Sequence, residues 1–313
     1  MTGRRIRVGL DVGGTKIDAV AVDDADEIIG RLRRESGWGE HEVVANIVAA
    51  VRDLAAEAGF ALDDVESAGV GIPGLVDADA GRVLHAVNLG VESLDLAVLA
   101  HERLGVDFRI ENDVKAAALG AAVLRGITGS MAFLNLGTGV AAGIVIDGRI
   151  WRGSRGTAGE IGHLSVDPNG RLCGCGQVGC IETLCGGGAL ARAWGRPGAL
   201  PVRDILDAAE LGDADAVALR ADLFRGAAAA TRALVLSADV DRVVIGGGLT
   251  ALGSRLDAGA REALRREAAS SAFMRSLRLD ERIETLPAGS PVAAFGAALV
   301  GAAESSKEIV SHG

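Results

Sequence analysis

No run of about 18 apolar residues occurs anywhere in the 313-residue chain, which excludes a transmembrane helix. The chain runs from Met1 into the strand-like IRVGLDV with neither an apolar h-region nor a small-residue cleavage site, so no signal peptide is expected. The protein is therefore expected in the cytoplasm. An excess of basic residues is missing too: 32 Lys and Arg face 42 Asp and Glu, a net charge of −10. Such a chain is not expected to bind nucleic acid or a membrane surface, although backbone N–H groups can still hold an anion locally. The Walker A pattern is absent, and the first glycine turn, at Gly13 and Gly14, is not a G-x-G-x-x-G fingerprint leading into a helix.

Cysteine is scarce, and the four present are not scattered. Cys173, Cys175 and Cys180 lie in GRLCGCGQVGC, and Cys185 follows. A reducing compartment disfavours disulfides, and a bridge between Cys173 and Cys175 would be strained. A redox pair would normally be C-x-x-C, which is missing. With His163 the ordered set is H-x9-C-x-C-x4-C, a closed four-ligand zinc set in composition, though not in zinc-finger spacing. His163, Cys173, Cys175 and Cys180 are therefore the expected metal ligands. Cys185 is left over and reads as a buried thiol on the following helix.

What is abundant is globular: 49% of residues are hydrophobic and 24% charged, and the length suggests two domains. Alternating apolar residues predict strands in RIRVGLDV and IDAVAVDD, joined by GGTK. Helical spacing predicts helices over 41–58, near 94–104, from VKAAALGAAVLRG, over 216–237 and 255–269, and in the final AFGAALVGAAE. The tail SSKEIVSHG is expected to fray. The chain also partly repeats itself. Leu10, Asp11, Val12, Gly13 and Asp23 align at one offset with Leu134, Asn135, Leu136, Gly137 and Asp147. Both copies read strand, glycine turn, strand, which points to a duplicated domain.

Three glycine loops each follow an apolar strand: LDVGGT, LNLGTG and VVIGGG. One such loop alone is an ordinary hairpin. As a set they suggest a gripped nucleotide, with phosphates at Gly13, Gly14, Thr15 and Lys16 and at Gly137, Thr138 and Gly139, and the nucleoside near Gly246, Gly247 and Gly248. Glycine lets the backbone approach the phosphates, and Asp11 is placed to hold Mg²⁺ directly or through water. The segment RIEND sets Asp113 between a strand and a helix. Two readings stay open: a helix N-cap, a common use of Asp and Asn, or a general base for phosphoryl transfer.

Taken together, LDVGGTKI, END, LNLGTGVAAGIVIDGRIWRG, GTAGEIGH, CGCGQVGCIE and VVIGGG resemble the ROK family of sugar kinases and related repressors, over about residues 6–302. The resemblance implies an α/β architecture, the duplicated actin-like (ribonuclease H-like) ATPase fold, with two domains and an interdomain cleft. It implies ATP and Mg²⁺, a structural Zn²⁺, a small-molecule sugar substrate, and a homodimer or homotetramer. Residues 1–115, with 295–313 packed back on them, and 116–294 are the expected domains. By position Asp113 looks like the catalytic base. Asn112, Glu160, His163 and Glu182 look like sugar-hydroxyl ligands, with Gly74 in GIPGLVD and Asn88 in VNLGVESLDL beside the sugar. His163 would serve zinc through one ring nitrogen and a hydroxyl through the other. Glucokinases of this family usually carry an aromatic after NL; VNLGVESLDL has none. The implied activity is transfer of the ATP γ-phosphate to a hexose, foremost the 6-hydroxyl of glucose. N-acetylmannosamine or another amino sugar, fructose and a cyclitol are the alternatives. A repressor would need a DNA-binding domain ahead of the first turn, where about a dozen residues stand. A non-catalytic sensor would be expected to lose Asp113 or the glycine turns.

Overall fold

A strand, a glycine turn and a returning strand open each half of the chain. In the computed structural model, which describes residues 5–302, the first pair is β1 (Ile6–Val12) and β2 (Lys16–Val22). There follow β3 (Ile28–Glu35), α1 (Glu40–Ala58), β4 (Val65–Ile72), the short ribbon strands β5 (Leu75–Asp77) and β6 (Arg82–His85), α2 (Leu96–Leu104), β7 (Phe108–Asn112) and α3 (Asp113–Leu124). The second half starts with β8 (Ser130–Leu136) and β9 (Val140–Ile146), at the same offset as Leu10 to Leu134. It continues through β10 (Arg149–Ile150), α4 (Ile181–Cys185), α5 (Gly187–Trp194), α6 (Pro201–Glu210), α7 (Ala214–Ala238), β11 (Arg242–Gly246), α8 (Ser254–Ala268), α9 (Ala272–Ser276), α10 (Leu279–Arg282) and β12 (Ile283–Thr285). The last described element is α11 (Val292–Ala302). The tail expected to fray lies outside the described residues.

The chain divides into two units. The first comprises residues up to Gly126 together with those from Pro291 on; the second runs from Ile127 to Ser290. Within the first, the sheet order is β3-β2-β1-β4-β7, with β3, β2 and β1 antiparallel in turn and β1, β4 and β7 parallel. Within the second, the order is β10-β9-β8-β11-β12, with the same sequence of directions. Two units with one topology are what a duplicated actin-like ATPase fold requires, and the sequence repeat covers the hairpin that begins each sheet.

Local chemistry sets the boundaries of these elements. Helix α1 buries Val43, Val44, Ile47, Val48, Val51 and Leu54 on one face. It stops at Gly59, whose φ of 72° suits glycine and whose N–H donates to the Ala55 carbonyl. Helix α7 begins at Asp213, whose side chain accepts from the Ala216 N–H. The small-residue helix α11 belongs to the first unit. It lies so close on β1 and β4 that a Cβ at Gly9 would strike the Ala294 carbonyl, and one at Gly69 the Ala297 carbonyl. Helix α3 packs on α11 equally closely, at Gly120 and Gly296. That contact draws α3 and the start of α11 into the first unit, so the division falls after 126 and before 291, not after 115 and 294. No helix among the described residues is long and apolar enough to cross a membrane.

Candidate active site

In the first unit, the turn between β1 and β2 is closed by Gly13 N–H donating to the Lys16 carbonyl at 2.8 Å. Thr15 and Lys16 are exposed at its tip. Asn88, in a single helical turn at Val87–Leu89, lies against this tip: a Cβ on Gly14 would sit 3.1 Å from the Asn88 carbonyl oxygen. Only glycine at 14 leaves that approach open.

Two carboxylates face this turn. Asp11 is at the end of β1, partly buried, and its carboxyl is pushed up to about 7 by burial first, then by the charge of Asp113 and that of Asp18, with Lys16 opposing. Burial and those neighbouring carboxylates make its anion costly, a cost that a bound cation would relieve. Asp11 is thereby fitted to hold a cation such as Mg²⁺.

Asp113 is the first residue of α3, and the cap is its neighbour. Asn112 Oδ1 accepts from the N–H groups of Val114 and Lys115 at 3.1 and 3.2 Å. The N-cap reading of Asp113 is thereby replaced, since one residue caps a helix and Asn112 does so. Asn112 Nδ2 donates to the Gly74 carbonyl at 3.3 Å, so one N–H of that amide is left over for a ligand hydroxyl. The first unit thus brings together Asp11, Gly13–Lys16, Gly74, Asn88, Asn112 and Asp113.

The second unit gathers its own set. The carbonyls of Gly137 and Thr138, in the β8–β9 turn, accept from the N–H groups of Gly187 and Gly188 at the start of α5, at 2.8 and 2.9 Å. Gly247, with φ of 88°, lies against Asn135: a Cβ there would be 2.5 Å from Asn135 Oδ1. The second turn and the Gly246–Gly248 loop therefore meet, with Asn135 between them. Sequence reasoning missed Asn135 as a site residue, although it stands at the repeat position of Asp11. Glu182 Oε2 accepts from the Val140 N–H at 3.0 Å, and a Cβ on Gly139 would sit 2.7 Å from it.

Glu160 is exposed at the head of a single helical turn, Ile161–His163. That segment is pinned to β9, where the Ala142 N–H donates to the Gly159 carbonyl at 2.7 Å. Below it the side-chain donors of His163, Cys173, Cys175 and Cys180 all lie within 4.8 Å of one another. Cys175 and Cys180 sulfurs are 3.7 Å apart, and Cys173 Sγ is 3.8 Å from His163 Nδ1. A tetrahedral zinc with bonds near 2.3 Å to sulfur needs sulfur separations of about 3.8 Å. The four groups fit that ion. Without an ion the thiols differ: Gln177 N–H groups lower Cys175 to about 6, while burial pushes Cys180 up to about 12. Binding a cation would ionise the second thiol as well. Nδ1 faces the thiols, which turns Nε2 away from them. The knuckle is anchored by Arg171, which donates to Asp222 on α7 at 2.8 Å and to the Thr183 carbonyl on α4. One step on, Cys173 Sγ lies 3.9 Å from Glu182 Oε1. Cys185 is buried on α4 against Gly226 of α7, and burial raises its thiol far above the ordinary range.

The model of the ROK family matches residues 7–302. The chain belongs to the ROK family. It is 31% identical to a glucokinase of Halalkalibacterium halodurans over 80% of this chain and 82% of that one. An N-acetylmannosamine kinase of Yersinia pseudotuberculosis is 32% identical over 77% and 82%. A ROK family glucokinase from Streptomyces griseus, solved in complex with glucose and AMPPNP, superposes with a TM-score of 0.78 at 29% identity, covering 95% of this chain and 99% of that one.

Proposed function

We propose that this ROK protein is an ATP-dependent sugar kinase, with a hexose, foremost glucose at its 6-hydroxyl, as acceptor. The observation that carries the reading is the pairing of Asp113 with Asp11. Asp113 opens α3 behind the Asn112 cap, and its charge, after burial, raises the carboxyl of Asp11. Phosphoryl transfer asks for that combination: one base for the hydroxyl proton and one anchor for the metal that accompanies the phosphates. Asp113 takes the proton from the sugar hydroxyl as its oxygen attacks phosphorus. Asn112, held at Gly74, offers its remaining N–H to the sugar, and Asn88 presents the loop on Gly14. In the second unit Glu160, His163 and Glu182 accept from or donate to sugar hydroxyls, His163 through Nε2. The turns at Gly13–Lys16 and Gly137–Gly139 hold phosphate oxygens with backbone N–H groups, and Gly246–Gly248 hold the nucleoside. Mg²⁺, held by Asp11, would neutralise charge on the phosphates. Zn²⁺, held by His163, Cys173, Cys175 and Cys180, would fix Glu182 and His163 in place, a positioning role.

N-acetylmannosamine is the second candidate acceptor, favoured by the likeness to the Yersinia pseudotuberculosis enzyme. A coupled ADP-release assay over hexoses, amino sugars and cyclitols decides between acceptors. Run with Asp113→Asn, it also tests the base. Loss of a general base lowers kcat by about 10²–10⁴-fold, with the sugar KM little changed. Turnover within a few-fold of wild type would move the base elsewhere, and no turnover of any sugar would refute the kinase.

A further inference from the structure

The Asn88 turn has an aromatic neighbour that its own sequence lacks. Trp38, in the loop between β3 and α1, is 64% exposed. Its indole is nonetheless fixed along one edge. A Cβ on Gly90 would fall 2.5 Å from the indole Cε2 and 2.6 Å from Nε1, so the ring rests on Gly90. The backbone holds the same contact: Gly39 N–H donates to the Leu89 carbonyl at 2.7 Å, and Trp38 N–H to Glu42 Oε2 at 3.0 Å. Leu89 and Gly90 continue directly from Asn88, which lies on Gly14 of the first glycine turn. On the other side of the loop, Ser36 N–H donates to the Thr15 carbonyl at 3.3 Å, and its buried hydroxyl has no partner among the described residues.

A single exposed aromatic is ordinary. What distinguishes Trp38 is that its ring is held by one edge on the turn that carries Asn88, with its face left open beside that loop. Of the other two tryptophans, Trp194 is buried under the Arg196 guanidinium at 3.9 Å and Trp151 is 45% exposed. Trp38 differs from both in resting on Gly90, two residues from Asn88.

We infer that Trp38 is a specificity-determining residue of the sugar site, its indole receiving the C–H face of a hexopyranose whose hydroxyls are held from Asn88 and Asn112. The inference rests on the sugar-kinase reading and names the acceptor class, a six-membered ring sugar with an apolar face. A furanose or an open chain offers no such face.

The test uses the full chain and glucose. Trp38→Phe, Trp38→Ala and Trp151→Phe are compared with wild type for sugar-induced change in tryptophan emission and for KM of glucose, fructose and ATP. Glucose should shift the emission of wild type and of Trp151→Phe, and leave that of Trp38→Phe unchanged. Trp38→Ala should raise the glucose KM about tenfold, or about 1.4 kcal/mol, with the ATP KM unchanged and the glucose-to-fructose preference reduced by a similar factor. Trp38→Phe should recover most of the glucose KM. Gly90→Ala, which displaces the indole without removing it, should repeat the effect of Trp38→Ala. The inference is overturned if glucose still shifts emission in Trp38→Phe, or if Trp38→Ala phosphorylates glucose with the wild-type KM. In both cases sugar turnover persists, so the kinase reading stands. Absence of turnover in wild type on every sugar defeats both.

Discussion

Replacing Asp11 by Asn should make the protein more stable at alkaline pH than at acid pH, relative to wild type. The Asp11 carboxyl ionises at about 7 in the folded chain against an ordinary 3.8, chiefly because burial and the charge of Asp113 penalise its anion. Between about pH 4 and pH 7 the native state therefore holds a proton that the unfolded chain has lost. Stability must fall as pH rises through that window, the reverse of a salt-bridged aspartate. The full penalty, reached above pH 7, is about 4 kcal/mol. By about pH 5 roughly 1.5 kcal/mol of it is already present, which leaves about 2.5 kcal/mol to appear between about pH 5 and pH 8.5. Asn has the shape of the neutral acid and titrates nowhere in this range. Thermal melts of wild type and Asp11→Asn at the two pH values should thus show the mutant gaining about 4 °C relative to wild type at the higher pH. Mg²⁺ added at pH 8.5 should narrow the gap by raising the wild-type Tm alone. A melting difference that does not change with pH, or that changes in the mutant's disfavour, would refute the placement of Asp11 beside Asp113 in a desolvated pocket of charge.

Purified protein should contain about one zinc per chain, and Cys185→Ser should leave that content unchanged because its sulfur lies outside the His163 group. Metal analysis without prior exposure to chelator checks this, and stripping the ion should lower Tm sharply, since structural zinc contributes roughly 10–16 kcal/mol in small peptides. Asn112→Ala, which removes the α3 cap, should lower stability by about 1 kcal/mol, and Asn112→Ser, a neutral cap, should recover most of it; urea denaturation separates the two. Gly139→Ala drives a methyl to 2.7 Å from Glu182 Oε2 and should raise the sugar KM while leaving zinc content intact, as steady-state kinetics and metal analysis will show.

The features that the sequence disclosed are those written into short stretches. The repeat of Leu10–Gly13 at Leu134–Gly137 marks the hairpins that begin the two sheets. The thiols of 173–180 need only Gly176 and Gly179, both at positive φ, to fold back under His163. Features that depend on residues far apart in the chain stayed hidden. The division at 126 rather than 115 arises from Gly120 meeting α11 across some 170 residues. The raised carboxyl of Asp11 needs Asp113, which no local pattern joins to it.

Asp113 shows why the ambiguity at a strand-to-helix junction cannot be resolved from composition. In END both Asn and Asp are able to cap, and the choice falls to whichever one is extended while the next turns helical. Asn112 has φ −62° and ψ 138°, and Asp113 already opens α3. That single step of backbone assigns the amide to the helix and leaves the carboxylate beside Asp11. The same logic explains Asn135 in the second unit. It stands one residue before the end of β8, as Asp11 does in β1, but carries an amide in place of the carboxylate, and its Oδ1 lies against Gly247. The duplicated hairpins have thus diverged at this position: the copy with Asp11 is suited to a cation, and the copy with Asn135 to the close meeting of two glycine loops.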